Sequence, residues 1–262
     1  MDHTLKIYQI DAFVKQPFSG NPAAVCPLDE WLPDEVMQNI AMENNLAETA
    51  FTVKEADGYR IRWFTPTTEV RLCGHATLAT GFAFYEKLGF SEKELIFNCQ
   101  SGRIGVQKNG DLLTLDFPLD ELNEIECPEN LSASLGAKPI QCFKGKDDFL
   151  LIFENEDIIR NFRPDFNTMS KEDCRGCLVT SGGKEFDVVV RGFFPQTGIN
   201  EDPATGSAQT TLGAYWPSQL GKNEFSSCQL SHRKGFFQNK VNGNRIHISG
   251  KCNMYLEGDI FF

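Results

Sequence analysis

The chain has 262 residues, of which 41% are hydrophobic and 23% are charged. This length is close to the size at which one hydrophobic core stops growing, so one large domain and two smaller ones are both compatible with it. The hydrophobic content suffices for a packed core and argues against disorder. The net charge of −11 and the lack of a Lys/Arg cluster disfavour nucleic-acid binding, which depends on neutralising phosphates.

The nine cysteines and the N-terminus bear on location. The first residues contain no apolar signal-peptide core, and no apolar run approaches membrane-spanning length. We therefore expect a cytoplasmic protein with reduced thiols and no membrane association. Cys174-Arg175-Gly176-Cys177 is a lone C-x-x-C without a second pair at zinc-site spacing, so it is interpreted as incidental and no metal site is predicted.

Alternating apolar residues and helical spacings predict the elements of the first half. Strands are predicted at 5–10, 23–26, 50–53, 59–64, 94–99, 103–107 and 112–117, with a hairpin turn at Asn109-Gly110. One helix is expected to be capped by Asp34 and to run towards Asn44. A second runs from Gly74 to Leu88, where Gly89 suits the position after a helix end.

Pro118 ends this run, and the polar, acidic stretch 119–138 is taken as the domain boundary. The predicted domains are 1–118 and 119–262, with the alternative left open that a tail of about 251–262 returns to the first. In the second half, strands are predicted at 150–153, 177–180 and 186–191, and two short ones at 246–249 and 254–256. A helix from Gly206 to about Leu220 is ended by Gly221.

A short pattern occurs twice at a fixed offset. Cys73–Gly81 aligns with Thr205–Gly213, with Gly, Ala and Gly in register, and Arg62–Pro66 is echoed by Arg191–Pro195. Such an echo indicates duplication and therefore two like domains. The two glycine-started helices could face one site between them.

Helix starts favour anions because their backbone N–H groups are free and the helix dipole is positive there. Gly74 and Gly206 are thus candidates for binding a carboxylate or phosphate, against the alternative that each merely opens a tightly packed helix. His75 at a helix start is expected to be neutral. Glu48, between apolar neighbours before a strand, could move protons if partly buried, although an exposed loop position is the simpler interpretation. Asp202 or Thr205 could cap the second helix.

Several segments together resemble the PhzF family of phenazine-biosynthesis-like isomerases. They match in order from residue 7 to about 216: Asp11-Ala12-Phe13, Gly20–Val25, Asn45–Phe51, Arg62–Pro66 with Glu69-Val70, Cys73–Thr77, Asp116–Pro118 and Glu201–Ala208. The resemblance implies an α+β, diaminopimelate epimerase-like fold of two similar, pseudo-symmetric α/β domains. Each domain would be a curved mixed sheet around a central helix, with the site in the cleft between them. A homodimer is expected from the family alone.

The resemblance also assigns roles. Glu48 falls on the catalytic acid/base, and His75, Asp202 and Ser207 fall on residues that hold substrate or assist proton transfer. Cys73, Gly74, Thr205 and Gly206 would complete the substrate-binding site. The implied reaction needs no cofactor: a proton moves between carbons of a small, anionic, carboxylate-bearing metabolite.

Two rivals stay open. Related epimerases and proline racemases use two cysteines, one at each helix start, and here Cys73 has Thr205 as its counterpart. One alternative is therefore an epimerase or racemase that uses Cys73 with Glu48. The other is a metabolite-binding protein that kept the fold and lost turnover. No nucleophile elbow surrounds Ser207, so serine hydrolysis has little support.

Overall fold

The computed structural model describes residues 4–262. The chain divides into two compact units: unit 1 takes the chain up to Asp116 and again Ser249–Phe262, and unit 2 is Phe117–Ile248. No helix within 4–262 has both the length and the apolar character that crossing a membrane requires. The elements in chain order are β1 (Thr4–Val14), β2 (Asn21–Leu28), α1 (Asp34–Asn44), β3 (Glu48–Glu55), β4 (Gly58–Phe64), β5 (Glu69–Val70), α2 (Gly74–Glu86), β6 (Glu94–Cys99), β7 (Gly102–Asn109), β8 (Leu112–Pro118), β9 (Asn123–Glu124), α3 (Glu129–Leu135), β10 (Gln141–Lys144), β11 (Asp148–Ile152), α4 (Glu156–Asn161), α5 (Phe166–Met169), β12 (Gly176–Gly182), β13 (Val188–Phe193), a 3₁₀ turn (Pro195–Thr197), α6 (Ala208–Leu220), β14 (Glu224–Gln229), β15 (Gly235–Asn242) and β16 (Arg245–Phe261).

Unit 1 is a mixed sheet wrapped around one helix. Its strands follow the order β1-β2-β3-β4-β6-β7-β8-β16, and because β16 also pairs with β1, the sheet closes on itself. The pairs β2–β3 and β4–β6 are parallel, whereas β1–β2, β3–β4 and β6–β7 are antiparallel. Helix α1 covers the outside through Met37, Ile40 and Ala41.

The central helix of unit 1 is α2, which is apolar around most of its circumference. A helix of that kind is stable only when buried on all sides. It packs against β1, β2, β3 and β7. Gly81 permits the close approach to β7, because a Cβ built on it would lie 2.6 Å from Val106 Cγ1.

Unit 2 repeats the plan with a sheet ordered β15-β14-β13-β12-β11-β10-β9. Its parallel pairs are β11–β12 and β13–β14. Helix α6 covers one face of this sheet through Ala208, Leu212, Tyr215 and Trp216. Residues of α3, α4 and α5 belong to a separate apolar cluster with β12 and β13. The α+β prediction is confirmed in both units.

Arg62 and Arg191, the arginines of the second repeated pattern, make the same kind of contact in the two units. Arg62 of β4 donates from Nε and Nη2 to Glu69, both at 2.8 Å. Arg191 of β13 donates in the same two-point manner to Glu201, at 2.7 and 3.0 Å. A planar guanidinium suits such paired contacts with a carboxylate. Each arginine thus ties a strand to the loop that leads into the central helix.

Some predicted element ends are wrong. The late strands at 246–249 and 254–256 are parts of one strand, β16, because pairing with β1 from Lys251 to Phe261, interrupted by two register shifts, extends across the glycine at 258. The stretch 119–138 is not only a linker, since it contains β9 and α3.

The predicted helix caps are also wrong. Pro33 occupies the N-cap position of α1, and Asp34 is its first residue. Ser207 occupies that position for α6, which begins at Ala208 rather than Gly206, and no side chain caps it. The Thr205 hydroxyl is instead used on Asp202. Gly221 does end α6 in a left-handed conformation, as predicted.

Candidate active site

A cluster of polar side chains lies at the start of α2. We call it the unit 1 half-site: Asn21, Glu48, Cys73 and His75. Glu48 is the first residue of β3 and pairs with Ala23 of β2. Asn21 is the first residue of β2, and Cys73 and His75 flank Gly74 at the helix start.

The backbone before Glu48 explains how the carboxylate reaches this cluster. Helix α1 ends at Asn45 in a left-handed conformation, with φ of 47°. The Asn44 side chain then donates to Thr49 Oγ1 at 3.0 Å, which fixes the short connection. Asparagine tolerates the left-handed region better than most residues. Two further residues bring Glu48 to the beginning of the strand.

Within the unit 1 half-site, contacts converge on the imidazole of His75. Glu48 Oε2 lies 3.0 Å from Nε2, and the two side chains are only 13% and 7% exposed. On the other side of the ring, Nδ1 lies 3.5 Å from Cys73 Sγ and 3.2 Å from the side-chain amide of Asn21. The Glu48–His75 contact is an ion pair without aligned hydrogen-bond geometry, so no described donor points squarely at Glu48 Oε2.

The pKa values in this half-site are shifted from their ordinary values. Burial disfavours the imidazolium, yet the Cys73 sulfur and the Glu48 carboxylate beside the ring raise the pKa of His75 well above its ordinary 6.5. This direction is opposite to the one expected from the helix dipole, because close partners outweigh a partial charge. Burial, with Glu48 nearby, raises the pKa of the Cys73 thiol to about 11. Cys73 is thus a neutral thiol at neutral pH.

Glu48, Cys73 and His75 also have the composition of a metal site, since one ligand atom from each lies within 4.8 Å of the others. However, Cys73 contacts Nδ1 and Glu48 contacts Nε2. The two ring nitrogens thus face different neighbours.

The loop before α6 forms the unit 2 half-site, with Asp202, Thr205, Gly206 and Ser207. The Thr205 hydroxyl donates to Asp202 Oδ2, and Asp202 and Thr205 are 8% and 9% exposed. Fully buried Gln229 accepts from Thr205 N at 2.8 Å and donates to the Asp202 carbonyl at 2.6 Å. Hydrogen bonds of the Gln229 side-chain amide, rather than helix or strand pairing, hold this loop in place.

Ser207 has a different partner from Asp202 and Thr205. Its Oγ accepts from Arg175 Nη2 at 3.2 Å, and Arg175 in turn binds Asp148. Gly206 precedes Ser207 and is buried. The two half-sites are therefore built from unlike chemistry: a carboxylate, an imidazole and a thiol in unit 1, and hydroxyls, an acid and a guanidinium in unit 2.

All eight residues proposed from the sequence lie at the two helix starts, four in each unit. Their roles stay predictions. The contacts add Asn21, Gln229, Arg175 and Asp148, which were not proposed as site residues. Asn21 lies in a matched segment, so the resemblance offered a signal for it. Gln229 and Asp148 carry no local signal, and Arg175 lies inside the C-x-x-C that was set aside.

That C-x-x-C shows no sign of a reactive pair. Cys177 is buried within β12, and burial raises the pKa of both thiols, that of Cys174 to about 11. Cys174 accepts a contact from Gln196 Nε2 at 3.4 Å. Reactive cysteines have lowered pKa values, so this pair has the character of packed thiols.

Comparison with known proteins gives closely matching relatives along nearly the whole chain. An uncharacterized isomerase of Pseudomonas aeruginosa is 46% identical over 256 residues, which cover 98% of each protein. The crystal structure of a phenazine biosynthesis protein of the PhzF family from Enterococcus faecalis has a TM-score of 0.96 at 41% identity, covering 99% of this chain and 100% of that one. These likenesses support an enzyme of the isomerase type.

A more distant structure bears on the fold alone. A hydroxyproline epimerase from Agrobacterium vitis aligns with a TM-score of 0.62 at 11% identity, over 99% of this chain and 93% of that one. The predicted epimerase-like fold is thereby confirmed. The family model described as phenazine biosynthesis-like protein matches residues 10–258. The chain is a member of this PhzC-PhzF family.

Proposed function

We propose that the protein is a cofactor-independent isomerase in which Glu48 moves a proton between carbons of a small, carboxylate-bearing metabolite. One observation carries the proposal. The Glu48 side chain is mostly buried beside the start of α2, and its Oε2 lies 3.0 Å from His75 Nε2 without an aligned hydrogen-bond donor among the described residues. Such a carboxylate is free to accept a proton from a bound molecule.

The chemistry requires one group that takes a proton from one carbon and returns it to another. Glu48 accepts the proton as a carboxylate and donates it as a carboxylic acid, so a single residue completes both steps. His75 Nε2, 3.0 Å away, orients the Glu48 carboxylate.

The unit 2 half-site is assigned a binding role in this proposal. Ser207 and Asp202 offer a hydroxyl and a carboxyl group at the start of α6, where no side chain caps the helix and the helix dipole favours an anion. These groups suit a carboxylate and the polar substituents of a small metabolite. That both half-sites serve one substrate is part of the proposal and comes from the family resemblance.

The test measures whether deuterium from the solvent becomes bound to carbon in the product. The protein is incubated in D₂O with a small-molecule metabolite extract and with a panel of cyclic amino acids, and products are screened by mass spectrometry and proton NMR. We expect at least one compound to give an isomer with deuterium at a new carbon position, and Glu48→Gln to abolish this. No carbon-bound deuterium with any compound, or equal exchange in Glu48→Gln, would contradict the proposal.

An epimerase that uses the Cys73 thiol has weaker support. Cys73 is 6% exposed, its pKa is raised to about 11, and its counterpart in unit 2 is Thr205, which has no thiol. A thiol acts as a base through its thiolate, which is scarce at neutral pH under these conditions. Inversion at a single stereocentre, lost in Cys73→Ser, would favour that rival in the same screen.

A further inference from the structure

Arg175 lies just before β12, and its guanidinium joins two features of unit 2. Nε donates to Asp148 Oδ1 at 2.9 Å, and Nη2 donates both to Asp148 Oδ2 and to Ser207 Oγ, the latter at 3.2 Å. The Asp148 side chain is 2% exposed, and that of Arg175 is 39% exposed. The buried Asp148 carboxylate thus holds the partly exposed Arg175 guanidinium beside Ser207, the residue that precedes α6.

Backbone contacts fix the positions of both Asp148 and Arg175. Asp148 is the first residue of β11 and pairs with Gly176, directly after Arg175, in the parallel β11–β12 register. The Arg175 backbone N–H donates to the Asp147 carbonyl at 2.9 Å. Two-point binding by a planar guanidinium defines its orientation as well as its position. The location of Nη2 beside Ser207 is therefore set by the sheet.

The direction of the Arg175–Ser207 hydrogen bond has a chemical consequence. A guanidinium only donates hydrogen bonds, so Ser207 Oγ must be the acceptor. The hydroxyl hydrogen then cannot point at Arg175. In the described part of the chain it has no acceptor either, and Ser207 caps no helix N–H with its side chain. The hydroxyl is left as a donor towards whatever occupies the half-site.

We propose that Arg175 is a positioning residue: anchored by Asp148, it holds Ser207 Oγ as an acceptor and thereby presents the Ser207 hydroxyl hydrogen to a carboxylate oxygen of the substrate. This rests on the proposed function, in which Ser207 contacts substrate. It assigns a substrate carboxylate to the unit 2 half-site, whereas Glu48 in unit 1 handles the proton. Arg175 acts through Ser207, so its effect must vanish when Ser207 lacks a hydroxyl.

The test uses trifluoroacetate as a carboxylate probe, titrated into the full-length protein and followed by ¹⁹F NMR. We expect Ser207→Ala and Arg175→Gln each to weaken binding about ten-fold, the loss of one hydrogen bond to a charged group. The double variant should be no weaker than either single variant. Unchanged binding in either single variant, or additive losses in the double variant, would overturn the proposal.

Arg175→Gln also leaves Asp148 buried without its partner, so folding must be separated from positioning. Arg175→Lys keeps a charge for Asp148 but lacks the fork that reaches Ser207 as well. It should recover most of the thermal stability and little of the probe affinity. If affinity recovers in step with stability, Arg175 is merely structural and the proposal is wrong.

A matched control is available in the same unit. Arg160, whose side chain is 47% exposed, binds the 9% exposed Glu156 and has no contact with Ser207. Arg160→Gln should lower stability without changing probe affinity. Glu48→Gln should bind the probe as the parent protein does. Probe binding and deuterium transfer are therefore read separately, and either can fail while the other stands.

Discussion

The starts of α2 and α6 carry the same short sequence pattern, yet their surroundings differ in kind. In unit 1 a carboxylate and a thiol lie 3.0 and 3.5 Å from the two ring nitrogens of one imidazole, and the His75 pKa is raised. In unit 2 the loop is tied by Thr205, Gln229 and Arg175, and the Ser207 hydroxyl lies at the helix start as an acceptor for Arg175. The two copies of the pattern therefore share a helix start and differ in the chemistry around it. Proton transfer and substrate binding are the two roles that this division supports.

The largest effects are expected when one group is removed from each half-site. Glu48→Gln should lower kcat by about 10²–10⁴-fold, the usual share of general acid–base catalysis, with little change in substrate affinity. Ser207→Ala should instead raise KM about ten-fold with a smaller effect on kcat. Steady-state kinetics on a substrate found in D₂O measures both. Similar losses of kcat in the two variants would show that the roles are not divided between the units.

The raised His75 pKa predicts a pH dependence that belongs to unit 1. Its folded-state value exceeds the ordinary 6.5, so the stabilisation is complete below pH 6.5 and is lost as pH rises through the folded value. His75→Asn should cost about 1–3 kcal/mol at pH 6, because a buried charged hydrogen-bonding partner is lost. The deficit should shrink towards pH 9. Urea unfolding of both proteins across this range gives the difference.

Ser207→Ala is the control for that series, since it removes no group that titrates between pH 6 and 9. Its stability difference from the parent protein should stay constant. A constant deficit for His75→Asn as well would mean that the imidazole is not charged in the folded protein.

Gly81 and Gly213, the last glycines of the two repeat copies, differ in how easily their neighbours can make room for a side chain. An added Cβ at Gly81 meets the stiff, β-branched Val106 at 2.6 and 3.2 Å, whereas one at Gly213 meets the flexible ends of Ile246 and Leu119 at 2.6 and 2.9 Å. Gly81→Ala should destabilise unit 1 by about 1–3 kcal/mol through overpacking. Gly213→Ala should cost less because its neighbours can move, whereas the gain of about 1 kcal/mol in helix propensity is common to both changes.

Hydrogen exchange read by mass spectrometry can assign each loss to its own unit. Gly182→Ala is the matched control, since a Cβ there meets nothing within 4 Å. It should leave protection unchanged. Loss of protection in unit 2 on Gly81→Ala would contradict the local packing account.

The smallest effect is expected for Cys73→Ser. Serine preserves the size of the side chain and its ability to contact His75 Nδ1, and the Cys73 thiol is neutral at neutral pH. Turnover should therefore change only a few-fold. A loss as large as that of Glu48→Gln would make Cys73 a proton carrier and revive the epimerase alternative.

Much of the fold was accessible from periodic patterns. β6 was predicted residue for residue, and Gly221 was recognised as the end of α6. The misses include short elements such as β9, α4 and α5, whose few residues carry too little periodicity, and also the longer strands β14 and β15. The full length of β16 was missed because Gly250 and Gly258 weaken a local strand signal, and pairing with neighbouring strands compensates.

The sequence alone was enough to recognise the repeat, the two helix starts and the family resemblance. That resemblance singled out four residues: Glu48, His75, Asp202 and Ser207. These depend on residue identity and spacing, which are visible in one dimension. The raised pKa of His75 and the Arg175–Ser207 hydrogen bond follow from the tertiary structure alone. Both arise from partners far apart in the chain, Glu48 with His75 and Asp148 with Arg175, whose mutual distance and burial no local pattern encodes.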